Sequence, residues 1–185
     1  MGAALKPQDR RVSVGWNGGV HREQSKITST GICQAVSELS VFEVAPALLV
    51  EARLPFSPSD VWKRLTFTDS EIVSISPALR CQEVGGVSVN LIVGEPLAPS
   101  RAVDAELIGC VLRLNGAVVD CGPSAEIHCN ATETLITMRE VLLREELTPY
   151  NVIGPFTGAA NAVPGDYVEA SFSWFGAVSA FFAGP

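Results

Sequence analysis

Apolar positions in this chain recur mostly at intervals of two, the spacing of a strand with one face covered. The clearest run is near the C-terminus, where Val168, Ala170, Phe172 and Trp174 alternate with Tyr167, Glu169, Ser171 and Ser173. Gly176 breaks that run, and 178–182 reads as a strand coming back. Just upstream, Val163-Pro164-Gly165-Asp166 suits a type II turn, with proline second and glycine third. Farther back, 111–114 and 117–120 flank Asn115-Gly116, a dipeptide that supplies both positive-φ positions of a type I′ hairpin turn. Alternating or apolar runs over 12–16, 71–75 and 87–93 predict further strands.

Other stretches carry other signals. Residues 1–10 read as a polar lead-in, and 11–185 as one domain. The segment 17–30 is rich in Gly, Ser and Thr and holds charges of both signs, so a loop is expected; 31–49 is apolar and fits a short helix or a strand. Ser57-Pro58-Ser59-Asp60 predicts a helix over 58–65, with a serine cap, proline in the first turn and a carboxylate at the positive end. Asn130, with Glu133 three residues on, predicts a second helix start. Leu135, Met138 and Leu142 form its apolar stripe, and Arg139, Glu140, Arg144 and Glu145 face water, so this helix is read as core packing. The fold class expected is α+β, mainly β: a curled, barrel-like mixed sheet with a few packed helices.

Composition narrows the function classes. At 185 residues and 47% hydrophobic, the chain can bury a substantial core. Thirteen basic against 20 acidic side chains leave a net charge of −7, the wrong balance for a phosphate backbone, so no nucleic-acid partner is expected. No apolar run approaches the ~18 residues of a membrane-spanning helix, and no membrane association is expected. Five cysteines without a CxxC pair, and no signal peptide, read as reduced, mostly buried thiols in a cytoplasmic or organellar protein. His128-Cys129 has only the distant His21 as a histidine companion, so no zinc site is expected. Neither a G-x-S-x-G elbow nor a P-loop is present.

The order of several short motifs resembles the 2-keto-4-pentenoate hydratase and 2-oxo-3-hexenedioate decarboxylase group of the fumarylacetoacetate hydrolase superfamily. The matching text is Leu114-Asn115-Gly116, Gly122, Thr157-Gly158, Pro164-Gly165-Asp166-Tyr167-Val168-Glu169-Ala170 and Gly176-Ala177-Val178. Weaker matches come earlier, at Val14-Gly15-Trp16, Pro77-Ala78-Leu79 and Ile92-Val93-Gly94-Glu95-Pro96. The resemblance implies the C-terminal, barrel-like domain of that group, divergent and shortened at its N-terminal end.

It also implies a site. In that group a divalent metal, usually Mg²⁺, sits on a Glu-x-Glu pair and on a glutamate after Pro-Ala-Leu, and a lysine after a Val-Gly-aromatic strand moves protons. The metal holds a 2-keto acid and stabilises its enolate. Here the lysine position is Asn17, which cannot titrate near neutrality. The Glu-x-Glu positions are Glu43 and Ala45, and the third glutamate is Arg80. A guanidinium ~4 Å from a dication costs up to about 8 kcal/mol at an effective dielectric of ~20. Shifting the alignment does not mend the set, because Glu51 has Arg53 two residues on and Glu83 alternates to the opposite face from Arg80.

The expectation is therefore a metal-free, non-catalytic relative that serves as a binding or assembly module. Asn17 and Arg80 would line a vestigial pocket, and Glu43 would be a vestigial ligand that pairs with Arg80. No cofactor is expected; the alternative, an active hydratase or decarboxylase on 2-hydroxydienoate or 2-keto acids, would take Mg²⁺. The partners expected are another protein or further copies of the chain, with a small carboxylic acid as a candidate ligand.

Overall fold

The computed structural model describes residues 8–16, 19–52, 72–97, 108–123, 149–173 and 176–185, and these form strands, turns and bends. Six strands close a mixed barrel. β1 (Gln8–Trp16) pairs antiparallel with β2 (Gly19–Thr28), and β2 runs parallel to β6 (Val89–Val93). β6 joins β5 (Ile72–Glu83), β5 joins β4 (Phe42–Ala52), and β4 joins β9 (Tyr150–Gly154), all antiparallel. A parallel pairing of β9 with β1 completes the ring. The short β10 (Ala160–Ala162) extends the sheet along the first residues of β4.

A second, five-stranded sheet packs on the barrel. Its order is β3-β12-β11-β7-β8, from β3 (Ile32–Gln34), β7 (Gly109–Leu114), β8 (Ala117–Pro123), β11 (Tyr167–Phe172) and β12 (Gly176–Ala183). The turn chemistry is as the residues predict. Asn115 and Gly116 have φ of 52° and 83°, and Leu114 faces Ala117 across them. Gly165 has φ of 97°, and the Asp166 N–H donates to the Val163 carbonyl at 3.0 Å. The two turns clasp each other: Asn115 Nδ2 donates to Asp166 Oδ1 at 2.7 Å, and Asn115 Oδ1 accepts from the Tyr167 N–H at 2.9 Å.

Two apolar cores follow from the alternation. Val12, Val14, Ile27, Ala47, Leu49, Ala78, Leu91, Val93 and Val152 fill the barrel. Phe42, Val44, Leu48, Leu79, Cys81 and Ile92 point the other way, against Leu112, Val168, Ala170, Phe172, Ala180 and Phe182 of the second sheet. β4 and β5 are thus buried on both faces, and such strands read as continuous apolar runs without alternation. This resolves the ambiguous 31–49 into β3 and most of β4, and it carries the strand expected over 71–75 on to Glu83. Pro46 and Pro77 are tolerated inside these strands because each falls where one neighbour ends. Pro46 lies between the stretches of β4 paired to β10 and to β9, and Pro77 lies just before the stretch of β5 paired to β6.

The segment 17–30 is not a loop, since Gly19–Thr28 is a ten-residue strand. Its inward residues are mostly polar because they line the polar end of the barrel, which hides the alternation. No packed helix occurs among the described residues; the helices expected at 58–65 and after Asn130 lie outside them, as do His128 and Cys129. No helix among the described residues is long and apolar enough to cross a membrane. Cys33, Cys81 and Cys110 are buried, as expected, and Cys121 is exposed; burial and the Asp120 charge push the Cys110 thiol up to about 12.

Candidate functional site

The candidate site is one mouth of the barrel, built where β1, β2, β4, β5 and β9 present inward residues at the same level. Strand register brings two of the sequence-marked positions directly opposite each other, since Ala45 on β4 faces Arg80 on β5. Glu43, two residues along, faces Gln82, so Glu43, Ala45, Arg80 and Gln82 share the barrel's inner face. Ala45 is buried, whereas Glu43 is exposed at the rim. Asn17 lies outside the described residues, in the two-residue link between β1 and β2.

Arg80 does not pair with Glu43 as expected. The carboxylate in its grip is Glu23 of β2, held by two donors: Arg80 Nη2 to Oε2 at 2.8 Å and Arg80 Nε to Oε1 at 3.3 Å. Arg80 is 12% exposed and Glu23 11%. A guanidinium so far withdrawn from water needs a counter-charge equally withdrawn, and Glu43 at the rim stays hydrated. The pair bridges two strands that do not touch, because β6 separates β5 from β2 and begins only at Val89, opposite Ser25. The long arginine side chain spans that gap.

Around the pair the polar groups are well matched. Ser25, fully buried, donates from Oγ to Glu23 Oε1 at 2.8 Å. Arg80 Nη1 donates to Gln82 Oε1 at 3.1 Å, and His21 Nε2 lies 3.6 Å from Glu23 Oε2. Burial pushes the Glu23 carboxyl up, but the Arg80 hydrogen bond and charge, with Ser25 and His21, outweigh it and hold the group below its ordinary 4.5.

Arg80 also lies 5.0 Å from the centroid of the Trp16 ring, within cation–π range. Trp16 in turn rests on Gly154, its register partner in β9. A Cβ at residue 154 would stand 2.6 Å from Trp16 Cζ3 and 3.1 Å from the Pro46 carbonyl oxygen, so only glycine admits the ring here. The result is a column through the mouth: Gly154, Trp16, Arg80, Glu23.

Of this column, the sequence motifs single out Arg80 and include Trp16, but they leave Glu23 and Gly154 unmarked. One signal was available for Glu23. Asn17-Gly18 is the same dipeptide that stands at the Asn115-Gly116 turn, and in sequence it signals a strand returning after Trp16. The slipped-alignment candidates do not join the site. Glu83 points to the opposite face of β5, where Ser40 donates to it. Glu51 lies six residues along β4 from Ala45, about 20 Å away, and accepts from Ser74 at 3.2 Å.

No protein-family model and no curated protein matches the chain. Solved structures do. A 4-oxalocrotonate decarboxylase from Pseudomonas putida G7, complexed with calcium and acetate, superposes with a TM-score of 0.71 at 16% identity, over 95% of this chain and 78% of that one. A maleylpyruvate hydrolase from Sphingobium sp. SYK-6 gives 0.71 at 12% identity, over 96% and 71%. A 5-carboxymethyl-2-hydroxymuconate delta-isomerase from Mycobacterium smegmatis gives 0.69 at 11% identity, over 98% and 82%. A putative fumarylacetoacetate hydrolase family protein from Yersinia pestis CO92 gives 0.66 at 15% identity, over 98% and 96%, and this chain has the fold of these structures.

The described residues at this mouth do not fit a divalent cation. Both Glu23 oxygens are taken by Arg80, one of them also by Ser25, and a dication placed beside them would have to expel the guanidinium. Ala45 offers no ligand. Among the described residues no three His, Cys, Asp or Glu side chains converge on one point.

Proposed function

We propose that this chain is a metal-independent, non-catalytic module on the fumarylacetoacetate hydrolase fold, acting by binding or assembly. The observation that carries the reading is the Arg80–Glu23 pair. A cation and an anion of the chain itself occupy the mouth, where the resemblance calls for a metal on acidic side chains. With Arg80 at that place and Asn17 in place of a lysine, the mouth lacks the lysine and the carboxylate set to which the resemblance assigns proton transfer and enolate stabilisation. The partner class proposed is another protein or further copies of the chain.

A second reading, a lyase on 2-hydroxydienoate or 2-keto acids, draws on the decarboxylase, hydrolase and isomerase among the structural neighbours. Thermal unfolding in MgCl₂, against NaCl at equal ionic strength, separates the two readings. A metal site at 100 times its Kd would add about 2.7 kcal/mol of stability, a rise of roughly 5–11 °C for a chain of this size. The module reading expects matching traces and no turnover of a 2-hydroxydienoate with Mg²⁺ or Mn²⁺. A Mg²⁺-specific rise would overturn it in favour of the lyase.

A further inference from the structure

The Glu23–Arg80 contact has the form of a bound ligand more than that of an ordinary cross-strand pair. Three donors, Arg80 Nε, Arg80 Nη2 and Ser25 Oγ, converge on one carboxylate. The floor of the site is Trp16, whose ring lies against the guanidinium and is itself seated on Gly154. The strands that carry Arg80 and Trp16 are placed by other partners: Arg80 sits in the middle of β5 between β4 and β6, and Trp16 is in register with β9. A planar, largely buried guanidinium with a second donor beside it is a receptor for a carboxylate in general.

Glu23 is the less firmly held side. The part of β2 from Gly19 to Gln24 is paired only with β1 among the described residues, because the β6 ladder starts at Ser25 opposite Val89. Within β2, this segment is held by the β1 ladder alone, whereas β1 is also tied to β9 through Ser13–Trp16.

We infer that Glu23 is a built-in occupant of a small-carboxylate site: the β1–β2 hairpin carries its own carboxylate onto Arg80 and so keeps a free monocarboxylate out. The occupied mouth then has a cation and a carboxylate, both supplied by the chain. The inference rests on the metal-independent reading of the same mouth. It predicts that the site is latent in the native protein and becomes measurable once the Glu23 carboxylate is removed.

The test uses the full chain and acetate as the probe. Native protein, Glu23→Ala and Glu23→Ala/Arg80→Gln are melted in sodium acetate and in sodium chloride at equal ionic strength, with acetamide as an uncharged control. Glu23→Ala should melt below the native protein in chloride and rise saturably with acetate, by about 3–6 °C at ten times the apparent Kd. The native protein and the double variant should give superimposable acetate and chloride traces, and acetamide should shift none of the three. If Glu23→Ala is unfolded in chloride, folding restored by acetate and not by acetamide supports the proposal equally. The proposal is overturned if acetate neither stabilises nor restores Glu23→Ala, if the double variant keeps the shift, or if the native protein responds as strongly as Glu23→Ala. A Mg²⁺-specific shift of the native protein would instead strike the metal-independent reading, so the two failures are told apart.

Discussion

Among the described residues an arginine–glutamate ion pair occurs in two settings. Arg113 and Glu169 face each other directly across β7 and β11 on the outer face of the second sheet, 3.5 Å apart and each 34% exposed. Arg80 and Glu23 meet inside the barrel mouth at 2.8 Å, with a tenth of each side chain exposed, on strands that are not neighbours. In the first pair water screens both charges and hydrates whichever is left alone. In the second, losing one partner strands the other in a place water barely reaches. The outer pair decorates a sheet already specified by its turns, whereas the inner pair joins β2 to β5 and fills the mouth.

The sharpest way to break this comparison is to truncate one member of each pair. Glu23→Ala should cost about 3–5 kcal/mol in urea unfolding, because a buried guanidinium loses its counter-ion. Glu169→Ala should cost less than about 1 kcal/mol. Equal losses would mean that burial does not separate the pairs. Replacing both inner partners with apolar residues of similar size, as Glu23→Leu/Arg80→Met, should recover a large part of the single-variant loss, since no stranded charge remains.

Gly154→Ala probes the floor of the column and should have the next largest effect. The added methyl meets the Trp16 ring at 2.6 Å and a backbone oxygen at 3.1 Å. Overpacking of this kind costs about 1–3 kcal/mol, and Trp16 fluorescence should change with it. An unchanged melting point and emission would mean that the ring is not seated on residue 154.

The mildest test is pH. Glu23 is held below its ordinary 4.5 in the folded protein, so its contribution is fully present above that value and is lost as pH falls through the lower folded-state value. Native protein and Glu23→Gln should therefore differ most in unfolding free energy near neutrality. The difference should shrink as pH drops below 4.5, and a gap that widens with acid would reverse the assignment.

The two sheets also differ in how far they can be read from residues alone. In the second sheet the information is local. Asn115-Gly116, Pro164-Gly165 and Gly176 place the reversals, and Val168, Ala170 and Phe172 mark the buried face with period two. Short-range turn chemistry and one covered face make such strands legible. β4 and β5 are covered on both faces, so periodicity vanishes and length becomes uncertain. β2 is the opposite case: its inward set His21, Glu23, Ser25 and Ile27 is mostly polar, and Arg22, Gln24, Lys26 and Thr28 on the other face are polar too. A polar strand looks like a loop until its partners are known.

By itself, the amino-acid order determined the hairpins, the turn types and the sheet-dominated class. These depend on residues close together in the chain or on motif spacing. Which carboxylate Arg80 holds is a different kind of fact. Glu23 and Arg80 are 57 residues apart, and neither lies in a strand paired to the other's. Only closure of the barrel brings them together, and only the exclusion of water at the mouth makes Glu23 a stronger partner than the hydrated Glu43.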